Sequence, residues 1–254
     1  MDLRYTFDED VKNYDNIRPQ YPAKLFEDIL KYAKISSDSS VLEVGIGTGQ
    51  ATKPFLDKGC SLMAVELGEN LADYCMVKFE NYKNIRIIND DFLKCELTEN
   101  CFDLIYSATA FHWIPQPSGY EKIKRLLTKN GTLALFWNHP YVSRSDDETN
   151  VASMAVYKKY RPSDKKQVEF CEDDYKIKLR ELENNGFNIV FSDVYKRVRR
   201  LGADEYIDLL NTYSDHRALP KEIKQGFEED MKKSLDSVGG HINIYDTIDL
   251  YLSK

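Results

Sequence analysis

Short apolar runs alternate with stretches that favour helices through the middle of the chain. Five of these runs have the length and apolar content of buried strands: residues 41–44, 61–65, 85–88, 102–106 and 131–137. The helical stretches between them include residues 71–81 and 120–127. Strands that alternate with helices are typical of parallel strands joined by right-handed crossovers, so the pattern predicts an α/β fold.

The pattern changes before the first run and after the fifth. Residues 1–36 predict a helical lead-in, whereas residues 140–175 are polar and charged. A break of that length inside a compact domain is usually an insertion with a function of its own, such as a lid. The rest of the chain predicts a helix, a long strand, two helical stretches and a last strand, at residues 175–185, 187–200, 203–238 and 242–252.

Charge and composition narrow the classes of partner. The net charge of −7 argues against a general grip on nucleic acid, because a protein that follows a phosphate backbone neutralises it with Lys and Arg. We interpret the basic run at residues 196–200 as the solvent edge of a strand. The five Cys have neither the even count of a disulfide framework nor the spacing of a zinc site, so we expect reduced thiols and no metal. Without an apolar leader or a long apolar window, we expect a cytoplasmic protein with no membrane partner.

The most informative motif is a strand that runs into three glycines at alternate positions, Gly45, Gly47 and Gly49, with Glu43 before them. Glycines in a strand-to-helix turn let the backbone turn tightly and let a ligand approach without a Cβ in the way. The dinucleotide fingerprint G-x-G-x-x-G requires its third glycine where this chain has Gln50, so that fingerprint fails. The spacing instead resembles the first motif of class I S-adenosylmethionine-dependent methyltransferases.

The resemblance implies a site for S-adenosylmethionine, with S-adenosylhomocysteine as its product and no metal. In that family the acid of the first motif, here Glu43, orients the loop and the methionyl amine. Glu66, at the end of the second strand, can accept hydrogen bonds from both ribose hydroxyls, although NAD enzymes use the same device. An acid after the third strand holds the adenine amino group; Asp90 matches it best and Asp91 is the alternative. The implied cofactor residues are Arg18, Glu43, Gly45, Gly47, Thr48, Gly49, Glu66, Leu67, Asp90, Asp91, Phe92 and Ala108.

Three further segments resemble one branch of this superfamily, the type 11 and trans-aconitate methyltransferase-like enzymes. They are the lead-in at residues 14–22, which contains Arg-Pro-Gln-Tyr-Pro, the His112-Trp113 pair after the fourth strand, and residues 210–217 in the predicted helical cap. His112 could be a general base, a substrate hydrogen-bond donor or a ring packed beside the cofactor. Arg18 could pair with the methionyl carboxylate or an acidic substrate, or be a surface residue of a stiff connector. The implied substrate-side residues are Tyr14, Tyr21, His112, Trp113, Tyr213, His216 and Arg217.

The same resemblance implies a Rossmann-like fold. We expect a seven-stranded, mostly parallel sheet with an antiparallel last strand, helices on both faces and helical cap insertions. Because 254 residues are near the upper limit of one hydrophobic core, we expect a single methyltransferase domain. Its predicted parts are a lead-in (1–36), a cofactor-binding core (37–139), an insertion (140–175), a return to the sheet (176–200), a helical cap (203–238) and a last strand (241–254).

The implied activity is methyl transfer to a small-molecule acceptor, a carboxylate or a hydroxyl compound, by in-line displacement in a monomer or homodimer. The alternatives are an NAD-linked oxidoreductase and a non-catalytic partner protein that keeps the fold. The Asn-His-Pro-Tyr segment at residues 138–141 is similar to the Asn-Pro-Pro-Tyr loop of adenine and glutamine amino-methyltransferases. Because it follows the fifth strand rather than the fourth, and has His at its second position, we reject that activity.

Overall fold

A seven-stranded sheet forms the centre of the computed structural model, which describes residues 11–162 and 167–254. The strand order is β3-β2-β1-β4-β5-β7-β6. Strands β1 to β5 are parallel, and β7 runs antiparallel to both β5 and β6. The predicted Rossmann-like sheet with an antiparallel last strand is therefore confirmed. The strands are β1 Ser40–Val44, β2 Ser61–Glu66, β3 Ile85–Asn89, β4 Phe102–Ala108, β5 Leu127–Tyr141, β6 Ile189–Gly202 and β7 His241–Ser253.

Helices cover both faces of the sheet and continue into a cap. They are α1 Val11–Ile17, α2 Ala23–Tyr32, α3 Lys53–Lys58, α4 Glu69–Lys78, α5 Ser118–Leu126, α6 Glu148–Tyr160, α7 Glu172–Asn184, α8 Ala203–Leu210, α9 Ser214–Arg217 and α10 Lys221–Asp236. None of the helices in the described part of the chain is both long and apolar enough to cross a membrane. The first ten residues of the predicted lead-in, and residues 163–166 of the predicted insertion, lie outside the described residues.

Continuous apolar runs form the central strands because these strands are buried on both sides. In β1, Val41 belongs to a core cluster with α2 and α3, whereas Leu42 belongs to a second cluster with α5 and α7. Both side chains are fully buried. The same division separates Leu104 from Ile105 in β4.

A third core cluster lies between α6, α8, α10 and the first residues of β7. Its largest buried side chains include Tyr206 and Phe227, and Met231 is fully buried between the helices. The helix of the predicted insertion, α6, therefore packs on the helices of the predicted cap. We call α6, α8, α9 and α10 the cap helices below.

Strand β5 is longer than predicted. The apolar run ends at residue 137, but β5 continues to Tyr141, which lies opposite Tyr245 of β7. The prediction stopped early because the extension is polar and contains Pro140, which has no amide hydrogen for a ladder. Pairing with β7 stabilises these residues as a strand despite their composition.

Strand β6 is the edge strand on which the basic run lies. The prediction placed the whole run at the solvent edge, but two of its side chains, Arg197 and Arg199, turn towards β7. The Nε of each lies within 2.9 Å of Asp246 Oδ2. Asp246 is 1% exposed, so two guanidinium groups compensate its buried charge. Alternate residues of a strand face the same side, and on this side Arg197 also donates to the carbonyl of Gln20 in the lead-in.

Candidate active site

A cavity of about 380 Å³ lies at the carboxyl ends of the parallel strands, between the sheet, the lead-in and the cap helices. Open α/β sheets bind ligands at this edge, and the volume is typical of a small-molecule site. Most of the predicted site residues line it: Tyr14, Arg18, Tyr21, Glu43, Gly45, Gly47, Glu66, Leu67, Asp90, Asp91, Phe92, Ala108, His112, Trp113 and Tyr213. The lining does not include four other predicted residues: Thr48, Gly49, His216 and Arg217.

The three glycines of the turn have different surroundings, although all have positive φ, at +76° (Gly45), +57° (Gly47) and +82° (Gly49). A Cβ on Gly45 would lie 2.6 Å from the Cβ of Ala110, and one on Gly49 would lie 2.5 Å from the ring of Phe79. A Cβ on Gly47 would meet nothing closer than 3.9 Å. Packing therefore requires Gly45 and Gly49, whereas Gly47 leaves open space beside the cavity.

Glu43 at the end of β1 is a buried carboxylate with one oxygen unpaired. Its Oε2 accepts hydrogen bonds from Thr52 Oγ1 and Tyr106 Oη, each at 2.7 Å. Its Oε1 has no hydrogen-bond partner in the described part of the chain, and the residue is 1% exposed. Burial raises the pKa of Glu43 to about 8, the two hydrogen bonds oppose that rise, and the neighbouring charge of Glu66 adds to it. An ammonium group of a ligand could donate a hydrogen bond to this oxygen and would also favour the ionised form of Glu43.

Glu66 at the end of β2 holds the glycine turn. Its Oε2 accepts from the amide of Gly47 at 2.8 Å, and its Oε1 accepts from the amide of Gly68 at 3.0 Å. A carboxylate has about four lone-pair sites, so it can hold these two amides and still bind a diol. Glu66 therefore both holds the glycine turn and lines the cavity.

The two acids after β3 are used differently. The carboxylate of Asp91 accepts from the amide of Leu93 at 2.9 Å and lies 3.9 Å from Lys94 Nζ, so it stabilises the turn that follows. Asp90 is exposed, and one of its oxygens accepts from the amide of Asp91 at 2.7 Å. Phe92 is buried below them and lines the cavity. Asp90 therefore makes fewer contacts within the protein than Asp91 does.

Arg18 is a cation held between two aromatic rings. Its guanidinium carbon lies 4.7 Å from the ring centre of Tyr14 and 4.6 Å from that of Tyr213. One terminal nitrogen donates to the carbonyl of Thr212 at 3.0 Å, while Nε has no hydrogen-bond partner among the described residues. Stacking leaves the edge of a guanidinium available for an anion, as required for a carboxylate ligand.

Beside Tyr21 the cavity is lined by two polar residues that the sequence did not predict, Thr109 and Asn138. Tyr21 Oη and Thr109 Oγ1 are 2.7 Å apart, and Thr109 Oγ1 also accepts from the amide of Asn138 at 3.2 Å. The side-chain amide of Asn138 donates to Asp246, which leaves its Oδ1 without a partner in the described residues. Thr109 has a φ of +53°, which is a strained conformation for a β-branched residue. No sequence motif predicted this conformation.

His112 lies at the cavity with an exposed side chain, in a short 3₁₀ turn at Phe111–Trp113. Its Nδ1 accepts a hydrogen bond from the indole Nε1 of Trp137 at 3.1 Å. Partial burial lowers the pKa of His112, and the charges of Lys178 and His139 lower it further. The imidazole is therefore neutral around pH 7.

The predicted residues outside the lining have other contacts. His216 is 4% exposed, and its Nε2 lies 3.0 Å from Tyr157 Oη inside the cap. Arg217 follows it in α9, and Thr48 is fully buried below the glycine turn. Asp215, which was not predicted, lines the cavity, and its carboxylate binds Arg161 at 2.8 Å. For α9, a helix of four residues, the sequence did not indicate which residue lines the cavity.

Comparison with known proteins agrees with this geometry. Residues 42–135 match the Methyltransf_11 family, described as a methyltransferase domain. An uncharacterized methyltransferase-like protein of Schizosaccharomyces pombe is 28% identical over 228 residues, which cover 89% of this chain and 83% of that protein.

Solved structures share the fold. A protein of Anaeromyxobacter dehalogenans, provisionally named a type II methyltransferase, aligns with a TM-score of 0.65 and 15% identity over 93% of this chain and 97% of its own. Phosphoethanolamine N-methyltransferase 2 of Haemonchus contortus, in complex with S-adenosyl-L-methionine, aligns with a TM-score of 0.55 and 15% identity over 100% of this chain and 60% of its own. The match of residues 42–135 to a methyltransferase domain and the similarity to methyltransferase-like relatives support S-adenosylmethionine-dependent methyltransferase activity.

Proposed function

We propose that this enzyme transfers a methyl group from S-adenosylmethionine to a small-molecule acceptor, a carboxylate or a hydroxyl compound. The observation that supports this most strongly is the unpaired Oε1 of the buried Glu43 beside the glycine turn. The pocket-lining positions of Tyr14, Arg18 and Tyr21 support an assignment to the trans-aconitate methyltransferase-like branch, whose lead-in closes over the cofactor.

The proposed cofactor contacts follow from the polar groups around the turn. Glu43 accepts from the methionyl amine, and Glu66 accepts from the ribose hydroxyls. Arg18 pairs with the methionyl carboxylate through the edge of its stacked guanidinium. Asp90, or Asp91 as the alternative, accepts from the adenine amino group. The remaining contacts to the cofactor are apolar or backbone contacts from Gly45, Gly47, Leu67, Phe92 and Ala108.

S-adenosylmethionine supplies an electrophilic methyl group on a sulfonium. The protein's part is to exclude water and align the acceptor, and orientation of this kind contributes about 7–11 kcal/mol. The aromatic rings of Tyr21, Trp113 and Tyr213 form dry walls for that purpose. A carboxylate acceptor is already deprotonated and needs no base. For such an acceptor, the role of His112 is to position it by direct contact.

A thermal-shift experiment tests the cofactor. S-adenosylhomocysteine at about 100 times its Kd adds about 2.7 kcal/mol, which raises Tm by roughly 5–10 °C for a domain of this size. NAD should leave Tm unchanged. E43Q should lose most of the shift, whereas E99Q, a matched change at an exposed pair with Arg125, should keep it. A shift with NAD and none with S-adenosylmethionine or its product would overturn the proposal.

Transfer of label tests the acceptor class. We expect tritium from methyl-labelled S-adenosylmethionine to enter small acids or hydroxyl compounds of a fractionated metabolite extract, identified by mass spectrometry. The E43Q variant is the negative control. Label found only in protein or nucleic acid would contradict a small-molecule acceptor.

A further inference from the structure

The hydrogen bond between Trp137 and His112 determines which imidazole nitrogen carries the proton. An indole Nε1–H is a donor only, so Nδ1 of His112 at 3.1 Å must be the acceptor. A neutral imidazole has one N–H, and when Nδ1 accepts, that N–H is on Nε2. Nε2 makes no hydrogen bond to any described residue, and His112 lines the cavity. The nitrogen left for a ligand is therefore a donor.

The indole is fixed independently of the cavity. Trp137 is 6% exposed in β5, and its backbone amide donates to Asp249 Oδ1 at 3.0 Å. Asp249, itself 2% exposed in β7, also accepts from Tyr251 Oη at 2.8 Å and lies 3.1 Å from His139 Nε2. Lys178 Nζ lies 4.8 Å from the centre of the indole ring. Core packing and strand pairing therefore determine the direction of the indole N–H.

We infer that Trp137 is a positioning residue that holds His112 as the Nε2–H tautomer, so that His112 donates a hydrogen bond to an oxygen of the acceptor. This inference rests on the proposed function, which places the acceptor at this end of the cavity. In this tautomer the lone pair of His112 is on Nδ1 and is occupied by Trp137, so His112 does not remove a proton from the acceptor. The acceptor class is accordingly one that presents an oxygen lone pair to His112, such as a carboxylate.

Nuclear magnetic resonance tests the tautomer without any turnover. The chain has four His, so the imidazole nitrogens of ¹⁵N-His-labelled protein can be assigned with single His→Gln variants. In the wild type, with and without S-adenosylhomocysteine, we expect an unprotonated Nδ1 and a protonated Nε2 at His112. W137F should give a mixture of tautomers, whereas W113F, which removes the chain's other indole, should not. A protonated Nδ1 in the wild type would overturn the inference.

Paired substitutions test the donor. A Gln amide reaches the place of Nε2, whereas an Asn amide reaches the place of Nδ1. With the acceptor found in the label-transfer experiment, we expect H112Q to keep KM for the acceptor within about threefold, and H112N and W137F to raise it about tenfold, with KM for S-adenosylmethionine unchanged. Equal losses in H112Q and H112N would refute the donor role. Failure of the cofactor to bind would instead refute the proposed function, while the tautomer remains measurable.

Discussion

At the scale of single residues, Glu43 is a buried acid whose Oε1 has no hydrogen-bond partner among the described residues. Ionising it without a cation nearby is unfavourable, which is why burial raises its pKa to about 8. Between its ordinary value of 4.5 and about 8 the native protein binds more protons than the unfolded chain. The free energy of unfolding of the ligand-free protein therefore falls as pH rises through this window.

We predict that ligand binding ionises Glu43. Between pH 5.5 and 7, where an amine such as the methionyl amine stays protonated, binding of S-adenosylhomocysteine should release close to one proton and tighten by up to about tenfold per pH unit. Calorimetry in buffers of different ionisation enthalpy measures the release. E43Q should abolish it, and E99Q should not. Proton uptake on binding would contradict this assignment.

The glycine turn gives a second prediction at this scale. G47A should bind S-adenosylhomocysteine weakly while losing only about 1 kcal/mol of stability, because its cost in the folded state is the left-handed backbone alone. G45A and G49A should lose about 2 kcal/mol or more, because each adds a clash inside the protein. Urea denaturation and ligand titration separate the two effects.

A matched control for G47A is G186A, which has the same kind of backbone, at φ +75°, and meets only the flexible end of Lys124. It should lose a similar amount of stability and bind the ligand normally. Normal binding by G47A would remove Gly47 from the cofactor site.

The sequence predicted the site residues whose position relative to a strand or a glycine motif is characteristic. Glu43 and Glu66 were identified from their places at strand ends, and the structure brings both to the cavity. Spacing does not say which way a missing Cβ would point, so Gly49 was grouped with the cofactor although it packs on Phe79. Thr109 was invisible because its site depends on a φ that threonine rarely adopts.

At the scale of elements, one aspartate attaches α6 to the sheet. Asp147 caps α6 by accepting from the amides of Thr149 and Asn150, and its other oxygen accepts from Asn243 Nδ2 and Tyr245 Oη on β7. Burial raises its pKa, but these hydrogen bonds outweigh that effect and hold the pKa below its ordinary value of 3.8. Its contribution is therefore complete above pH 4 and is lost as pH falls below that value.

We predict that D147A destabilises the protein by about 1–3 kcal/mol, since it removes a helix cap and leaves two half-buried donors of β7 unpaired. The D146A change, at the exposed neighbouring residue, should cost less than about 0.5 kcal/mol. Urea denaturation at pH 7 measures both. Equal stability of the two variants would show that α6 is held by its apolar contacts alone.

Elements were predictable where burial was two-sided. The central strands β1, β2 and β4 were found because both of their faces are apolar, and the helices between the strands because their spacing is regular. The end of β5 was not, since residues 138–141 are polar and gain strand structure only from pairing with β7. The contact of α6 with α10 was also beyond local pattern, because it joins segments far apart in sequence.

At the scale of the whole molecule, α1 connects the glycine turn to the cap helices. Asp15 of α1 binds Lys78 Nζ at 2.6 Å and accepts from Tyr74 Oη at 2.8 Å, both on α4. Lys78 also donates to the carbonyl of Thr48 in the glycine turn at 2.8 Å. On the other side, Asn13 Nδ2 donates to a carbonyl of α8 at 3.1 Å. Cofactor binding at the turn should therefore order α1 and, through it, the cap.

Hydrogen exchange measures this coupling. We predict that S-adenosylhomocysteine slows amide exchange in α1 and α8 of the wild type, although neither Asp15 nor Lys78 lines the cavity. D15A should uncouple α8 from the ligand and weaken binding about threefold to tenfold, because the bound state then orders α1 without its anchor on α4. D57A removes an aspartate that pairs with Lys53 and Tyr82 away from α1, and it should leave both effects intact. If α8 in D15A is protected by the ligand as strongly as in the wild type, the cap responds through Arg18 and its contact with Thr212, and the path through Asp15 is not used.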